Sequence, residues 1–279
     1  MKLVSWNTQW CCGLDGQVSP QRIVDGARAT GDFDVLCLQE IAQGYDRLAG
    51  APGDQPAQLA ALLPGYRCFF GAAVEEIQRG RHQRFGNLIA TRLPVARVQH
   101  HALPWGPADG GVLSMPRMVT VVTLIDPSLG ALRVMTTHLE YYSASQRLAQ
   151  AKALRALHDE ACAMAAAPPK ETDDGSPFQT KVHTPHAILC GDFNAPSDDA
   201  AVAALCAPGA HALRETWPLV HGRAPHPPTF RVFDHTYGGD PMACDFVFVS
   251  AGLAPRVRTV EVDGQTRASD HQPVFVELT

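Results

Sequence analysis

The stretch Ala187–Asp199, AILCGDFNAPSDD, is a short apolar run that stops on a glycine followed by two polar residues, Asp192 and Asn194. A run of this kind bounded by turn residues predicts a buried strand. Ala-Pro-Ser-Asp then turns the chain, and a helix is expected over Asp198–Cys206. At a strand end a rigid sheet meets its loops, so a polar side chain placed there is held in register.

The same construction recurs along the chain. Asn7 follows LVSW, Glu40 follows VLCLQ and His138 follows LRVMTT. Asp245 stands just before FVFVS, and Asp270 and His271 just before PVFVEL. Singly, each has an ordinary structural explanation: Asn and Asp after a strand make turns, a glutamate caps a surface strand, a histidine satisfies a core. Jointly they make a kit for hydrolysis at phosphorus. A hard cation such as Mg²⁺ takes oxygen ligands, usually one or two carboxylates with waters and substrate phosphate. Glu40 and Asp270 suit it, with the Asn7 amide oxygen nearby. Asp192 suits an attacking water, and Asn194 can orient water or phosphate without adding charge. His271 or His138, as a cation, can donate to phosphoryl oxygens that gain charge in the transition state. Such a histidine is normally oriented through its other nitrogen, a part Asp245 can fill.

Outward from these residues, the chain has 279 residues, 46% hydrophobic and 18% charged, with a formal charge of −5. That length suits one two-sheet or α/β domain spanning 1–279 and leaves no difficulty in burying a core. The negative balance and only four lysines (Lys2, Lys152, Lys170, Lys181) argue against binding long nucleic acid, where phosphate contacts carry the affinity. A small phosphate substrate stays compatible, because a bound cation reverses the local sign. None of the eight cysteines lies in a CxxC pair, and several sit in apolar runs as small hydrophobes, which points to a reduced compartment. No signal-like leader precedes the first strand, and no apolar run approaches the ~20 residues of a membrane helix. A cytoplasmic protein without a membrane or obligate protein partner is expected.

Further strands are expected at Lys2–Trp6, Val35–Leu38, Arg67–Val74, Asn87–Thr91, Met118–Ile125, Leu132–Thr137, Phe246–Ser250 and Val274–Leu278. Helices are expected at Ser19–Thr30, where Ser-Pro supplies a cap and a first-turn proline, at Gln55–Leu63, and at Ser143–Ala167, alanine-rich and free of glycine and proline. Leu103–Pro116 and Pro168–Pro185 read as loops. Strands mixed with a few helices suggest two packed sheets with helices outside.

These segments resemble a known group. GDFNAPSDD (Gly191–Asp199), WNTQW (Trp6–Trp10), LQE (Leu38–Glu40), GNLIATRLPV (Gly86–Val95), TTHLE (Thr136–Glu140), CDFVFVS (Cys244–Ser250) and SDHQPVFVEL (Ser269–Leu278) are similar, in order, to motifs of the endonuclease/exonuclease/phosphatase superfamily. The resemblance implies a DNase I-like α/β fold, a four-layer αββα sandwich with two central, mainly antiparallel sheets. It implies Mg²⁺ or Mn²⁺ held chiefly by Glu40 with Asn7 and Asp270 close by, Asp192 and Asn194 on the nucleophile side, His271 paired with Asp245, and His138 on the other flank of the phosphate. The activity implied is hydrolysis of a phosphoester. Endo- or exonuclease action on longer chains, and an inactive member serving as a binding module, stay open as alternatives. Three further residues are candidates for substrate contact, each with an alternative: Asn87 in the GN element, or else a support behind the site; Arg117 before a strand, or else a sheet-edge charge; and Arg147, which with Gln150 resembles an R-x-x-Q pair, or else a helix-surface pair. The basic stretch Gln78–Phe85 is either a solvated loop or a leaving-group contact, and Tyr141–Tyr142 either packing or a stacking platform.

Overall fold

The structure is a computed structural model and describes residues 1–279. In chain order the elements are β1 (Lys2–Asn7), α1 (Pro20–Thr30), β2 (Val35–Gln43), α2 (Gln55–Leu62), β3 (Arg67–Gln78), β4 (Arg81–Thr91), β5 (Val95–Ala102), β6 (Met118–Asp126), β7 (Gly130–His138), α3 (Ala144–Ala166), β8 (Ala187–Asp192), α4 (Ala200–Leu205), β9 (Leu213–Glu215), α5 (Thr216–His221), β10 (Asp245–Ser250), β11 (Val257–Val262) and β12 (Val274–Leu278). They form two six-stranded sheets of order β11-β12-β1-β2-β4-β3 and β5-β6-β7-β8-β10-β9.

Each sheet holds one parallel pair, β1 with β2 and β7 with β8, among antiparallel neighbours. A parallel pair needs a long crossover, and α1 and α3 supply it. Sequence decides where these helices start. Ser19 accepts from the Arg22 N–H with Pro20 in the first turn, and Ser143 accepts from the Gln146 N–H. Alternation along the strands then sets three apolar layers. Leu3, Val35, Val134, Ile188 and Val247 pack between the sheets. Val4, Trp6, Ile23, Leu36 and Leu59 pack under α1 and α2. Val121, Met135, Leu154, Phe193 and Phe246 pack under α3 and α4. The result is the four-layer sandwich expected from sequence.

The differences lie at the edges. Strands β5, β9 and β11 and helix α5 were not foreseen, because edge strands are half-exposed and carry little apolar signal. The stretch 78–85 is not a loop: β3 and β4 extend through it as a hairpin, with Gln78 opposite Arg81 across Arg79-Gly80, both at positive φ. No helix is long and apolar enough to cross a membrane, and none of the eight cysteines is in a disulfide.

One buried group gives the fold a pH signature. His158 on α3 is 1% exposed, and its Nδ1 lies 2.8 Å from Nη2 of Arg133, which can only donate. Burial first, and Arg133 second, push His158 down to about 4. A base with a depressed folded pKa stabilises fully above its unfolded value near 6.5 and loses that contribution as pH falls towards 4. The loss should reach about 3 kcal/mol. Denaturant melts of wild type and His158→Gln between pH 7.5 and 4 should converge as pH falls. Parallel curves would show that His158 does not titrate in this window.

Candidate active site

Both parallel pairs end at the same place. Asn7 closes β1, and Glu40 lies in β2 beside it. His138 closes β7 with Asp192 as its cross-strand neighbour on β8, and Asp245 opens β10 opposite Asp192. The turn before β12 is tied to β1 by two bonds: Ser269 Oγ donates to the Asn7 carbonyl (2.8 Å) and Trp6 Nε1 to the His271 carbonyl (2.9 Å). Residues separated by up to 264 positions thereby share one cleft of about 230 Å³.

Local backbone aims two of them. At Glu40 the β2–β4 register shifts, and its φ is +60°, a conformation costly for a side-chain-bearing residue. The bulge turns the carboxylate into the cleft, where its side chain is 19% exposed. Gly191, at φ +141°, passes so close to β7 that a Cβ would lie 1.9 Å from the Thr137 carbonyl, so only glycine lets Asp192 sit there.

His271 Nδ1 lies 2.8 Å from Asp245 Oδ2, and its Nε2 lies 3.7 Å from Asp192 Oδ2. Burial alone would lower this imidazole, but Asp245, Asp192 and Asp270 outweigh it and raise it to about 10. It is an imidazolium, with Phe230 stacked on one face at 4.4 Å. His138 is the opposite case. Asn194 Nδ2 donates both to the Leu139 carbonyl (2.9 Å) and to His138 Nε2 (2.9 Å), which must therefore accept. Burial, reinforced by Arg117 and His271, holds His138 well below its usual range. It is neutral, with its proton on Nδ1, 3.9 Å from Glu40.

Burial also raises the carboxylates: Asp192 to about 6 and Asp270 to about 6, with Glu40 shifted upward as well. Neither Glu40 nor Asp270 has a lysine or arginine within ion-pairing distance. In the cleft Glu40, Asp192 and Asp270 face only two cations, His271 and Arg117; His271 is also paired with buried Asp245 and Arg117 with Glu140 (3.4 Å). Such a surplus would repel a phosphate unless a cation joined it. Glu40 and Asp270 are hard oxygen donors engaged only by neutral groups, Asn7 Nδ2 on Glu40 Oε1 (3.0 Å) and Ser269 Oγ on Asp270 Oδ1 (3.3 Å), so they fit Mg²⁺ or Mn²⁺. A second set, Asp192, Cys244, Asp245 and His271, has donor atoms within 4.8 Å of one another. There His271 is already bonded to Asp245 and carries the proton a metal would need displaced, so the Glu40–Asp270 side is the better cation site.

The remaining candidates divide. Asn7 Nδ2 donates to Glu40 Oε1 (3.0 Å) and Asp192 Oδ2 (2.9 Å), while its oxygen accepts from the Gln9 N–H (3.1 Å). Asn7 thus clamps two carboxylates with its nitrogen, while its oxygen, with two lone pairs, accepts the Gln9 N–H on one of them. Asn87 does not reach the cleft: it is buried and donates to the Met118 carbonyl. Arg147 is absent from the cleft too. It donates to the carbonyls of Glu140 and Tyr141, and with buried Gln150, which accepts from the Glu140 N–H, it fixes the loop after β7 rather than lying on a helix surface. Arg117 does reach the cleft, and its Nη1 is buried without a partner. Arg81 pairs with Asp46 and Arg84 with Glu75, away from the cleft.

Sequence reading missed the aromatic wall. Trp10, Phe85, Phe230 and Tyr237 line the cleft with Tyr141 and Tyr142, which meet edge-to-face at 4.8 Å. For Phe230 the only available signal was Pro-Pro-Thr-Phe in an otherwise structureless segment. Thr229 Oγ1 there accepts from the Cys244 and Asp245 N–H groups.

Comparison with known proteins agrees with this geometry. The model of the Endonuclease/Exonuclease/phosphatase family matches residues 4–271. An endonuclease/exonuclease/phosphatase from Beutenbergia cavernae DSM 12333 superposes with a TM-score of 0.69 at 24% identity, over 99% of this chain and 70% of that one. A mannosyl-6-phosphatase from Bacteroides thetaiotaomicron VPI-5482 gives 0.69 at 20% identity over 100% and 99% of the two chains. The human Nocturnin catalytic domain with bound sulfate gives 0.65 at 17% over 100% and 93%. No protein of curated function matches the sequence.

Proposed function

Since the chain belongs to the Endonuclease/Exonuclease/phosphatase family, we propose that it is a divalent-metal-dependent phosphoester hydrolase acting on a compact phosphomonoester or phosphodiester, or on the end of a nucleic acid. The observation that carries this reading is one cleft holding two carboxylates without a lysine or arginine partner, Glu40 and Asp270, beside the chain Asp192–His271–Asp245.

Glu40 and Asp270 would hold Mg²⁺ or Mn²⁺. When bound, the ion supplies charge neutralisation and polarises a phosphoryl oxygen. Asp192 would accept the proton of the attacking water while Asn7 fixes its Oδ2 and the Asn194 N–H its Oδ1. His271 would donate from Nε2 to a phosphoryl oxygen, its cationic form maintained by Asp245. Arg117 would offer its unpartnered Nη1 to the same group, and neutral His138 its Nδ1–H. The aromatic side chains would pack on the leaving group and keep water from it.

A compact substrate is favoured by the small cleft, by the pairing of Arg81 and Arg84 with acids, and by the charge of −5. A protein holding six to ten phosphates would lose on the order of 10³-fold or more in affinity between 50 and 200 mM salt. Here kcat/KM for a short phosphodiester should fall by only about 3- to 40-fold over that range, as expected for one to three contacts. The test measures kcat/KM on a short phosphodiester and on long duplex DNA with Mg²⁺ across a salt series. A steep slope with preference for the duplex would overturn the compact-substrate reading in favour of a DNA nuclease.

A further inference from the structure

The catalytic cleft is not the largest cavity in this protein. A second one, about 530 Å³, lies between the outer face of β5–β6–β7, helix α3 and the segment 168–184. Its floor departs from the pattern of the rest of the sandwich. A sheet face covered by a helix should be apolar, and on the same strands Val119, with Val121 and Met135 at the cavity's edge, makes it so. At this corner the outward positions are Arg97 on β5, Thr123 on β6 and Arg133 on β7.

Strand register places these three in one row. Arg97 is the cross-strand neighbour of Thr123, and Thr123 of Arg133. The two guanidinium-bearing positions are therefore separated by two strand spacings, roughly 10 Å, with a hydroxyl between them. Arg133 is 6% exposed, yet no carboxylate lies within ion-pairing distance of it. Its partners are the Thr184 carbonyl (3.3 Å), the Met135 sulfur (3.8 Å) and His158 Nδ1 (2.8 Å), all neutral. An arginine cannot shed its proton, so this is a buried charge without a counter-ion, a costly arrangement unless an anion completes it. Lys170 and Lys181 on the covering segment add positive charge at the rim, against Glu160 and Glu171, so the lining is net positive in a chain of net charge −5.

We propose that this cavity is a second ligand site, taking a small organic oxyanion whose phosphate or carboxylate groups lie across the Arg97–Thr123–Arg133 row. It is separate from the catalytic cleft. Arg133 stands five residues before His138 on the same strand, roughly 17 Å away, and points to the opposite face of the sheet. Its volume falls in the range of small-molecule sites and is larger than one inorganic anion needs.

The test is calorimetric titration of inorganic phosphate and of citrate into the whole chain, in chelator and at low chloride. Chelator leaves the catalytic cleft with its surplus of carboxylates, so phosphate there is disfavoured and binding reports the second cavity. Saturable binding of at least one anion, one per chain, is expected. Arg97→Gln and Arg133→Met should each weaken it by at least about tenfold, the worth of one charged hydrogen bond. Arg97 is half-buried at a sheet edge, so Arg97→Gln decides the matter even where Arg133→Met does not fold. Absence of saturable binding of both anions to wild type, or binding unchanged in Arg97→Gln, overturns the proposal.

Discussion

Turnover is expected to vanish in chelator and to return on addition of Mg²⁺ or Mn²⁺. The reason is electrostatic. Three carboxylates, Glu40, Asp192 and Asp270, line a cleft that offers two cations, His271, already paired with Asp245 behind it, and Arg117, shared with Glu140. Burial and mutual repulsion raise Glu40 and hold Asp270 at about 6. A dianionic phosphate entering that field meets like charge in a poorly solvated space, where Coulomb energies far exceed their value in water. Glu40 and Asp270 would hold a divalent cation, which would reverse the sign of the field a phosphate meets there. Its contribution of several kcal/mol corresponds to about 10³-fold or more in rate. Glu40→Gln should reproduce most of that loss with metal present and should weaken Mn²⁺ binding measured directly by calorimetry. Its melting temperature should stay level or rise, because the substitution keeps the backbone and the Asn7 bond while removing one of the repelling charges. Turnover that survives exhaustive chelation and dialysis would remove the metal from the reading. A Glu40→Gln variant that binds Mn²⁺ as wild type does would move the ion elsewhere, to the Asp192–Cys244–Asp245–His271 group.

His271→Ala and Asp192→Asn should each lower kcat by at least ~10²-fold, with KM changed less. His271 is the one imidazolium in the cleft, and Asp245 at 2.8 Å fixes which nitrogen faces the substrate. Its loss removes a charged donor and leaves Asp245 buried without its partner. Some destabilisation is therefore expected, and His271→Gln serves as the control that keeps a donor. Asp192→Asn preserves shape but removes the proton acceptor. Asp245→Asn should cost less in kcat, since it acts on phosphorus only through His271, and it should lower the pH at which His271 loses its proton, read by NMR of the ring. Variants that melt well above the assay temperature make the comparison fair. Rates near wild type for His271→Ala would sink its assignment.

Much of this site can be read in the chain before any fold is known. Asn7, Glu40, His138, Asp192, Asn194, Asp245, Asp270 and His271 each stand at the end of an apolar run, and the structure gathers all eight around one cleft. The GDFN stretch is informative for a local reason: Gly191 is the only residue type that fits beside Thr137, and Asn194 adopts a positive φ that asparagine tolerates. Less legible were the residues whose surroundings come from elsewhere in the chain. Asn87 and Arg147 sit in motifs similar to functional ones, yet they bond to backbone carbonyls and line no cleft. Arg81 and Arg84 read as a basic patch, but the acids that neutralise them, Asp46 and Glu75, lie on other strands or loops.

Features that depend on near neighbours are legible in the chain alone: strand and helix positions from apolar periodicity, helix starts from Ser19 and Ser143, and which strand ends carry ionisable groups. Only the tertiary structure decided which atom faces which. It turned the Asn7 oxygen to Gln9 and its nitrogen to two carboxylates. It made His138 neutral by aiming the Asn194 amide at Nε2, and His271 cationic by burying it among Asp245, Asp192 and Asp270. It brought Phe230 onto that ring and aligned Arg97, Thr123 and Arg133 across three strands. Charge state, hydrogen-bond direction and register depend on groups up to 264 positions apart, packed where water no longer screens them. No local pattern in the chain encodes that proximity.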